Sequence, residues 1–185
     1  MKDINLFKTK DSIFLKKIKS KSDLPCDDCD GYLIDASEKE ARRIIDSLGK
    51  SKKIIAVVGG GSSFNRRAIE TLKIDYLISP ERGEKKDSLK QRDSGLNQVL
   101  AKEAAKRKVS IVIDMSEVSK LSEKEKALRI EKLIQNVKIC RKAGCKIMVA
   151  SLGEKSSKSV DGFARSAFGV SLGMSTSQAK DAVNF

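Results

Sequence analysis

The sequence contains no histidine and no tryptophan, and it has only two tyrosines and six phenylalanines. Without histidine, the Ser-His and Cys-His nucleophile systems and the imidazole ligands of most metal phosphoesterases are missing. The few aromatic rings provide a poor stacking platform for unpaired bases. These absences argue against an independent hydrolase, and they favour contacts to phosphates over the reading of bases.

Long apolar runs are also missing, since none approaches the roughly 18 residues that span a bilayer. The basic amino terminus lacks the apolar core and the small-residue cleavage site of a secretory signal. We therefore expect a cytoplasmic protein without membrane contact. A length of 185 residues fits a single domain, 1–185, in which residues 1–30 form a less regular basic segment.

Positive charge predominates, with a formal net charge of +13 and an isoelectric point near 9.6. Such a surface attracts polyanions, and nucleic acid is the first candidate partner. A lysine-rich surface that only keeps the protein soluble is the alternative.

The four cysteines form two pairs, Cys26 with Cys29 and Cys140 with Cys145. Their spacings, C-x2-C and C-x4-C, fit a zinc tetrathiolate if all four sulfurs converge. Cys140 falls on the apolar stripe of a predicted helix, and a buried reduced thiol behaves as a small hydrophobe. We favour buried thiols over a metal site.

From residue 31 onward, short apolar runs alternate with amphipathic segments. Several runs are continuous in Ile and Val, which is typical of parallel strands covered on both faces. Strands are predicted at residues 32–35, 53–59, 75–79, 109–115 and 146–152, with a weaker one at 4–7. We expect residues 9–30 to form an extension or a mobile loop.

Three of the intervening segments carry the start or end signals of helices. Ser37 with Glu40 and Ser122 with Glu125 have capping-box spacing, and glycines follow both stripes. In the third, Asp93 or Ser94 is predicted to cap a helix that begins after Arg92, with a buried stripe of Leu96, Val99, Leu100 and Ala104.

Alternating strands and helices predict right-handed βαβ units, which form either a barrel or a doubly wound sheet. A complete eightfold barrel usually takes at least about 200 residues. Any barrel here is therefore expected to be trimmed or irregular.

In parallel α/β folds, functional groups gather where strands end. Asp35, residues 59–63, residues 79–92, Asp114 and Ser151 follow predicted strands and should ring one edge. The glycine run at 59–61 offers backbone amides to a phosphate, or else makes a turn that needs positive φ angles. It lacks a complete P-loop or dinucleotide pattern.

The segment 82–92 is the strongest candidate site, because basic residues outnumber acidic ones and lead into a predicted helix start. A solvated charged loop is the alternative. Predicted RNA contacts are Arg82, Lys85, Lys86, Lys90, Arg92 and Ser94, with Arg66 and Arg67 as weaker candidates.

Two further functions remain open at this point. Asp35 and Asp114 could hold magnesium in a metal-dependent phosphoesterase, since Mg²⁺ prefers oxygen ligands. The GGGSS turn could bind a small sugar phosphate.

Three stretches resemble the archaeal ribonuclease P protein component 3 family, the counterpart of the 30-kilodalton subunit of eukaryotic RNase P and RNase MRP. They are DYLISPERGEKKDSLKQRDSGLNQVLAKEAAKRKVSIVIDMSEV, LIQNVKICRKAGCKIMVAS and SAFGVSLGMSTSQAKDAV. The likeness covers about residues 53–115 and 128–184. The first 30 residues match weakly, and SLGEKSS stands where the family often has a more acidic stretch.

This resemblance implies a TIM-barrel-like α/β fold similar to PHP-type phosphoesterases, in a protein that serves as a subunit of a ribozyme. It implies that the RNA, using Mg²⁺, removes the 5′ leader from precursor tRNA. The chain itself would bind no cofactor and would support the RNase P RNA together with RNase P protein component 2 and the other protein subunits. Its contact with precursor tRNA would be indirect.

Overall fold

The computed structural model describes residues 2–10, 12–49, 51–83, 93–155 and 159–185. Within these ranges, parallel strands form one sheet whose spatial order follows the chain from β1 to β7. The strands are β1 (Asp3–Asn5), β2 (Ser12–Ile18), β3 (Gly31–Ile34), β4 (Ile54–Val58), β5 (Tyr76–Ile78), β6 (Ser110–Asp114) and β7 (Ile147–Ala150).

Helices follow the strands from β3 onward and cover the outside of the sheet. They are α1 (Glu38–Leu48), α2 (Ser62–Thr71), α3 (Gln98–Lys106), α4 (Met115–Lys120), α5 (Glu123–Ala143), α6 (Gly162–Ser171) and α7 (Thr176–Asp181). Short 3₁₀ turns lie at Lys21–Asp23 and Pro80–Arg82. No helix in the described ranges is long and apolar enough to cross a bilayer.

The sheet curls until its first and last strands meet. The Leu152 amide donates to the Ile4 carbonyl, and the Leu6 amide donates to the Gly153 carbonyl, both at 3.0 Å. The architecture is therefore a seven-stranded, nearly closed TIM-barrel-like fold, which confirms the expectation of a trimmed α/β barrel.

Alternating side chains of the strands explain the continuous apolar runs. Leu33, Ala56 and Val112 point into the barrel, while their neighbours Ile34 and Val57 pack under the helices. Both faces of each central strand are thus buried, as the sequence pattern predicted.

Residues 9–30 differ from the expected extension, because Ser12–Ile18 form β2 and pair in parallel with β1 and β3. The run SIFLKKI carries Lys16 and Lys17 in its second half, so its apolar signal is shorter than that of the other strands. Leu15 and Ile18 are nevertheless buried on opposite sides of the sheet.

Helices α1 and α5 confirm their predicted ends. The Ser37 hydroxyl accepts from the Glu40 amide, and Ser122 and Glu125 form a complete capping box. Gly49 and Gly144 follow the two helices with φ angles of +57° and +67°.

Candidate functional site

The carboxyl ends of the strands gather the predicted polar groups at one edge of the barrel, here called the carboxyl edge. Backbone hydrogen bonds join neighbouring strand ends: the Gly59 amide donates to Ile78, and the Ser79 amide donates to Val112. Asp35 follows β3, and Asp114 is the last residue of β6. Because the strands are parallel, their carboxyl ends meet at one edge, and the predicted position of Asp35 and Asp114 at this edge is confirmed.

Four charged side chains form a connected cluster at this edge. The Arg82 Nε lies 2.8 Å from Oε1 of Glu117, and the Arg129 guanidinium lies 3.6 Å from the same oxygen. Arg129 also lies 3.5 Å from Oε1 of Glu81, whose side chain is only 1% exposed. Arg82, a predicted RNA contact, is therefore neutralised locally by Glu117.

Two carboxyl groups near this cluster have raised pKa values. Burial raises the pKa of Glu81 to about 7, and the nearby Glu117 carboxylate adds to this, while the Arg129 charge opposes it. Burial also raises the pKa of Asp114 to about 7, although the Glu117 amide donates to its carboxylate. The carboxyl edge thus holds two weakly acidic carboxyl groups, Glu81 and Asp114.

The proposed magnesium ligands are engaged within the fold. Asp35 lies 2.8 Å from the Lys17 ammonium. Burial tends to raise the pKa of Asp35, but the hydrogen bond and charge of Lys17 outweigh it and lower the pKa below its ordinary value. Asp114 caps helix α4 through the Glu117 amide. Across the described ranges, no three His, Cys, Asp or Glu side chains converge in a way that could hold a metal ion.

The glycine run at residues 59–61 includes Gly59, which lets the backbone pack closely against Pro80. A Cβ on Gly59 would lie 2.6 Å from the Pro80 Cα, so only glycine lets these two strand ends approach. The predicted alternative, a turn with positive φ angles, is wrong, because none of residues 59–61 adopts one. Instead, Gly95 has a φ of +75°, and a Cβ there would meet the Pro80 carbonyl oxygen at 1.9 Å.

Asn65 ties these loops together. Its buried side-chain amide donates to the carbonyls of Pro80 at 2.8 Å and Gly95 at 3.1 Å, and its oxygen accepts from the Gly60 amide at 2.8 Å. The Gly60 amide is therefore occupied by the protein itself. A small phosphate ligand would also meet the Asp93 carboxylate at the start of α2, where it accepts from the Ser62 hydroxyl.

The helix predicted to begin after Arg92 starts later. Helix α3 begins at Gln98, and the Asn97 side chain accepts from the Leu100 amide at 2.8 Å. Asp93 and Ser94 thus precede the helix, and Val99 lies in its first turn with 78% exposure instead of joining the buried stripe. Asn97 was not among the predicted caps, but all three side chains can cap a helix and stand within five residues, so local spacing could not rank them.

Of the predicted RNA contacts, Lys85, Lys86, Lys90 and Arg92 lie outside the described residues. Arg66 pairs with Glu70 at 2.9 Å and Arg67 pairs with Glu38 at 2.6 Å, both with exposed guanidinium groups.

Ser94 is fully buried, and its hydroxyl lies 3.4 Å from the Leu96 carbonyl oxygen. The Asn136 amide donates to the Ser94 carbonyl at 3.0 Å. A fully buried hydroxyl cannot contact a phosphate at the surface, so Ser94 supports the loop before α3 instead.

Sequence reasoning missed the contributions of Glu81 and Arg129. A signal existed in α5, where Arg129 and the buried Asn136 share the face of the apolar Leu133. A polar residue at helical spacing within a buried stripe indicates a specific partner, because unpaired buried polar groups are costly.

The pairs of cysteines lie at separate places. Cys26 and Cys29 precede β3, where Lys53 donates to both of their carbonyl oxygens. Cys140 and Cys145 are buried at the end of α5 and in the connection to β7. Burial raises the pKa of the Cys29 thiol.

Comparisons with known proteins agree with this fold. A family model described as RNase P subunit p30 matches residues 32–184. Ribonuclease P protein component 3 of Methanothermobacter thermautotrophicus is 31% identical over 122 residues, which are 65% of this chain and 47% of that protein. The corresponding protein of Methanococcus vannielii is 24% identical over 64% of this chain and 48% of its own length. The chain thus spans about half the length of these curated relatives.

Among solved structures, a chain of the cryo-EM structure of archaeal ribonuclease P with mature tRNA superposes with a TM-score of 0.75. The match covers 98% of this chain and 87% of that chain at 19% identity. This likeness shows that the two chains share a fold.

Proposed function

Because this chain belongs to the RNase P subunit p30 family, we propose that it serves as a protein subunit of ribonuclease P. In this role it supports the catalytic RNA in removing the 5′ leader from precursor tRNA. The family match over residues 32–184, from β3 to α7, carries the proposal. A net charge of +13 supports it, because RNA is a polyanion.

In the proposed division of labour, the RNA carries catalysis and uses Mg²⁺, and the chain binds and positions RNA. This assignment is supported by Asp35 and Asp114, which are occupied by an ion pair and a helix cap. Further proposed partners are RNase P protein component 2 and the other protein subunits, with precursor tRNA contacted indirectly. The proposed location is the cytoplasm.

The proposed RNA contacts at the carboxyl edge are Lys85, Lys86, Lys90, Arg92 and Arg82, with Arg66 and Arg67 as weaker contributors. Arg82 forms an ion pair with Glu117 that leaves the arginine side chain 36% exposed. An exposed cation can exchange a carboxylate partner for a phosphate at small cost, because surface ion pairs are weak.

The proposal is tested by precursor tRNA cleavage at limiting magnesium, using the RNase P RNA of the same genome. Cleavage is compared with no protein, with this chain, with component 2 alone and with both proteins. We expect stimulation that requires both proteins and no cleavage without RNA. No stimulation in any combination would overturn the proposal, and Mg²⁺-dependent phosphoester turnover by the chain alone, lost in Asp114→Asn, would favour a phosphoesterase.

Binding of the RNase P RNA over a range of salt concentrations tests the carboxyl-edge contacts with a triple variant, Lys85→Ala, Lys86→Ala and Lys90→Ala. If each lysine neutralises one phosphate, the triple change lowers the salt slope of RNA binding by about 2 to 3. A matched control is Lys102→Ala, Lys132→Ala and Lys138→Ala, which removes three charges from within helices α3 and α5. Equal slopes in the wild type and the edge variant would remove this contact assignment.

A further inference from the structure

The edge of the barrel opposite the carboxyl edge, here called the amino edge, collects cations from four connections between helices and strands. The connection from α1 to β4 contains Lys52 and Lys53, and the connection from α2 to β5 contains Lys73. Because β4 and β5 are hydrogen-bonded neighbours, these side chains lie on adjacent loops. They line a groove of about 540 Å³ together with Arg107.

The next two connections continue this charge around the barrel. Arg107 and Lys108 stand between α3 and β6, and Lys146 stands directly before β7. Lys146 and Arg141 line a second groove of about 390 Å³. Strands β4 to β7 are consecutive neighbours, so the cations form a continuous arc along the edge.

Two acidic groups, Asp75 and Asp181, line the grooves beside this arc. In the four connections the sequence has one acidic residue, Asp75, and its carboxylate accepts from the Ile55 amide at 2.8 Å. Arg107 is paired with Glu103 at 2.6 Å, and Lys53 is held by the carbonyls of Cys26 and Cys29.

Four cations of the arc are exposed and form no ion pair with any described residue: Lys52, Lys73, Lys108 and Lys146. Cations in the last turns of α3 and α5 also complement the helix dipoles. Lys52 and Lys146 stand beyond the helix ends, so the dipoles do not account for their clustering.

The carboxyl edge provides an internal comparison. There, Lys17 pairs with Asp35, Lys120 pairs with Glu154, and Arg82 pairs with Glu117. These three cations of that edge are balanced by acids within the fold, although Lys19 and Lys21, which follow β2, form no ion pair with a described residue. The amino edge instead presents lysines whose charge is available to an external anion.

We propose that the amino edge is a second RNA-binding surface, which holds the phosphate backbone of a double-stranded segment. This inference rests on the proposed function and extends it, because the barrel would then contact RNA at both ends. One chain could fix two RNA segments at a separation set by the rigid barrel.

The chemistry of the surface favours a duplex backbone over unpaired bases. Lysine ammonium groups act as point charges towards phosphates, whereas reading unpaired bases needs stacking rings. The tyrosines near this edge do not supply such rings, because Tyr32 is 2% exposed and Tyr76 packs against Phe185.

An anionic membrane surface fits less well. Membrane binding through a basic surface normally requires exposed apolar side chains among the cations. The most exposed large apolar residues, Val99 at 78% and Phe163 at 82%, lie in the first turns of α3 and α6, at the opposite edge.

The test uses an amino-edge variant, Lys52→Gln, Lys73→Gln and Lys146→Gln. Binding of a fluorescent RNA duplex by the full chain is followed by anisotropy over a range of salt concentrations. The expected result is a salt slope reduced by about 2 to 3 relative to the wild type. The control variant Lys102→Gln, Lys132→Gln and Lys138→Gln, which removes the same charge from within helices α3 and α5, should change the slope much less.

The outcomes separate this inference from the proposed function. Equal slopes for the amino-edge and control variants would overturn the amino edge as a binding surface, even if precursor tRNA cleavage is still stimulated by the wild type. Binding to anionic lipid vesicles that depends on these three lysines, without affinity for duplex RNA, would also overturn it. A lowered slope in the amino-edge variant would support it, and the cleavage assay then decides separately whether the RNA served is that of RNase P.

Discussion

Glu81 lies at the centre of the charged cluster on the carboxyl edge. Its side chain is 1% exposed, neither carboxylate oxygen has a hydrogen-bond partner in the described structure, and Arg129 lies 3.5 Å away. Burial of this carboxylate, with the Glu117 carboxylate nearby, disfavours its charged form more than the Arg129 cation favours it, which is why the pKa of Glu81 rises to about 7.

This raised pKa predicts the direction of a pH effect on stability. Between the ordinary pKa of 4.5 and the folded value of about 7, the native state binds more protons than the unfolded state. The free energy of unfolding therefore falls as pH rises through this window. We expect Glu81→Gln to make the free energy of unfolding depend less on pH in this window. It should also stabilise the protein above pH 7 by up to about 3 kcal/mol.

Urea denaturation at about pH 5 and about pH 8 measures this change. The raised pKa of Asp114 also makes the free energy of unfolding fall over this pH range. Glu81→Gln should therefore reduce the slope of the free energy of unfolding against pH without abolishing it. Glu103→Gln is the control. The hydrogen bond from Arg107 lowers the pKa of the exposed Glu103, so this carboxyl group does not titrate in this window. If Glu81→Gln left the pH dependence of the free energy of unfolding unaltered, the attraction of Arg129 would outweigh the effect of burial on the pKa of Glu81.

At the scale of elements, helix α3 shows how a helix start depends on one side chain. The Asn97 oxygen satisfies the Leu100 amide, which otherwise has no partner within the helix. Gly95 stands just before this cap, and its close approach to Pro80 fixes the chain entering the helix.

We expect Asn97→Ala to lower the free energy of unfolding by about 1 kcal/mol, as is typical for loss of a side-chain cap. Asn97→Asp should be close to wild type, because a carboxylate accepts the same hydrogen bond and suits the positive end of the helix dipole. Urea denaturation compares the two variants. If the alanine and aspartate variants were equally stable, the Asn97 cap would contribute nothing.

At the scale of the whole molecule, the barrel depends on a buried ion pair where its first and last strands meet. Arg165 in α6 is 1% exposed, lies 3.1 Å from Asp3 of β1, and donates to the Val149 carbonyl of β7 at 3.0 Å. Asp3 in turn accepts from the Ser151 amide at 3.1 Å. One guanidinium group thus joins β1, β7 and α6.

Removing one partner should leave the other charge buried and alone. Arg165→Met is therefore expected to cost about 3–5 kcal/mol of stability. Arg66→Met removes an exposed pair with Glu70 and should cost less than about 1 kcal/mol.

The double variant Asp3→Asn with Arg165→Met provides the sharper comparison. It should recover part of the loss, since replacing both members of a buried pair removes the uncompensated charge. Urea denaturation measures Asp3→Asn, Arg165→Met and the double variant. A double variant as unstable as the sum of its single variants would show that Asp3 and Arg165 do not act as a pair.

Much of this architecture could be predicted from local patterns. The runs KIIAVVG and VSIVIDM contain β4 and β6, and Ser122 with Glu125 marked the start of α5. Strand β2 was missed because Lys16 and Lys17 interrupt its apolar run, and its strand conformation depends on pairing with β1 and β3. Long-range pairing leaves no local signal.

The carboxyl edge illustrates the same limit at the level of the site. Parallel strands alone were enough to place Asp35, Gly59 and Asp114 at one edge. The sequence could not show that Arg82 pairs with Glu117 or that Arg129 reaches Glu81, because these partners come from distant elements.

By itself, the sequence determined the alternating α/β pattern, the excess of positive charge, the lack of histidine and the family motifs, because these properties reside in composition and short-range spacing. Only the tertiary structure decided how the charges are distributed. It balanced Lys17, Arg82 and Lys120 with acids at the carboxyl edge and left Lys52, Lys73 and Lys146 exposed at the amino edge. The reason is geometric, since closing the sheet into a barrel brings together groups that the chain keeps far apart.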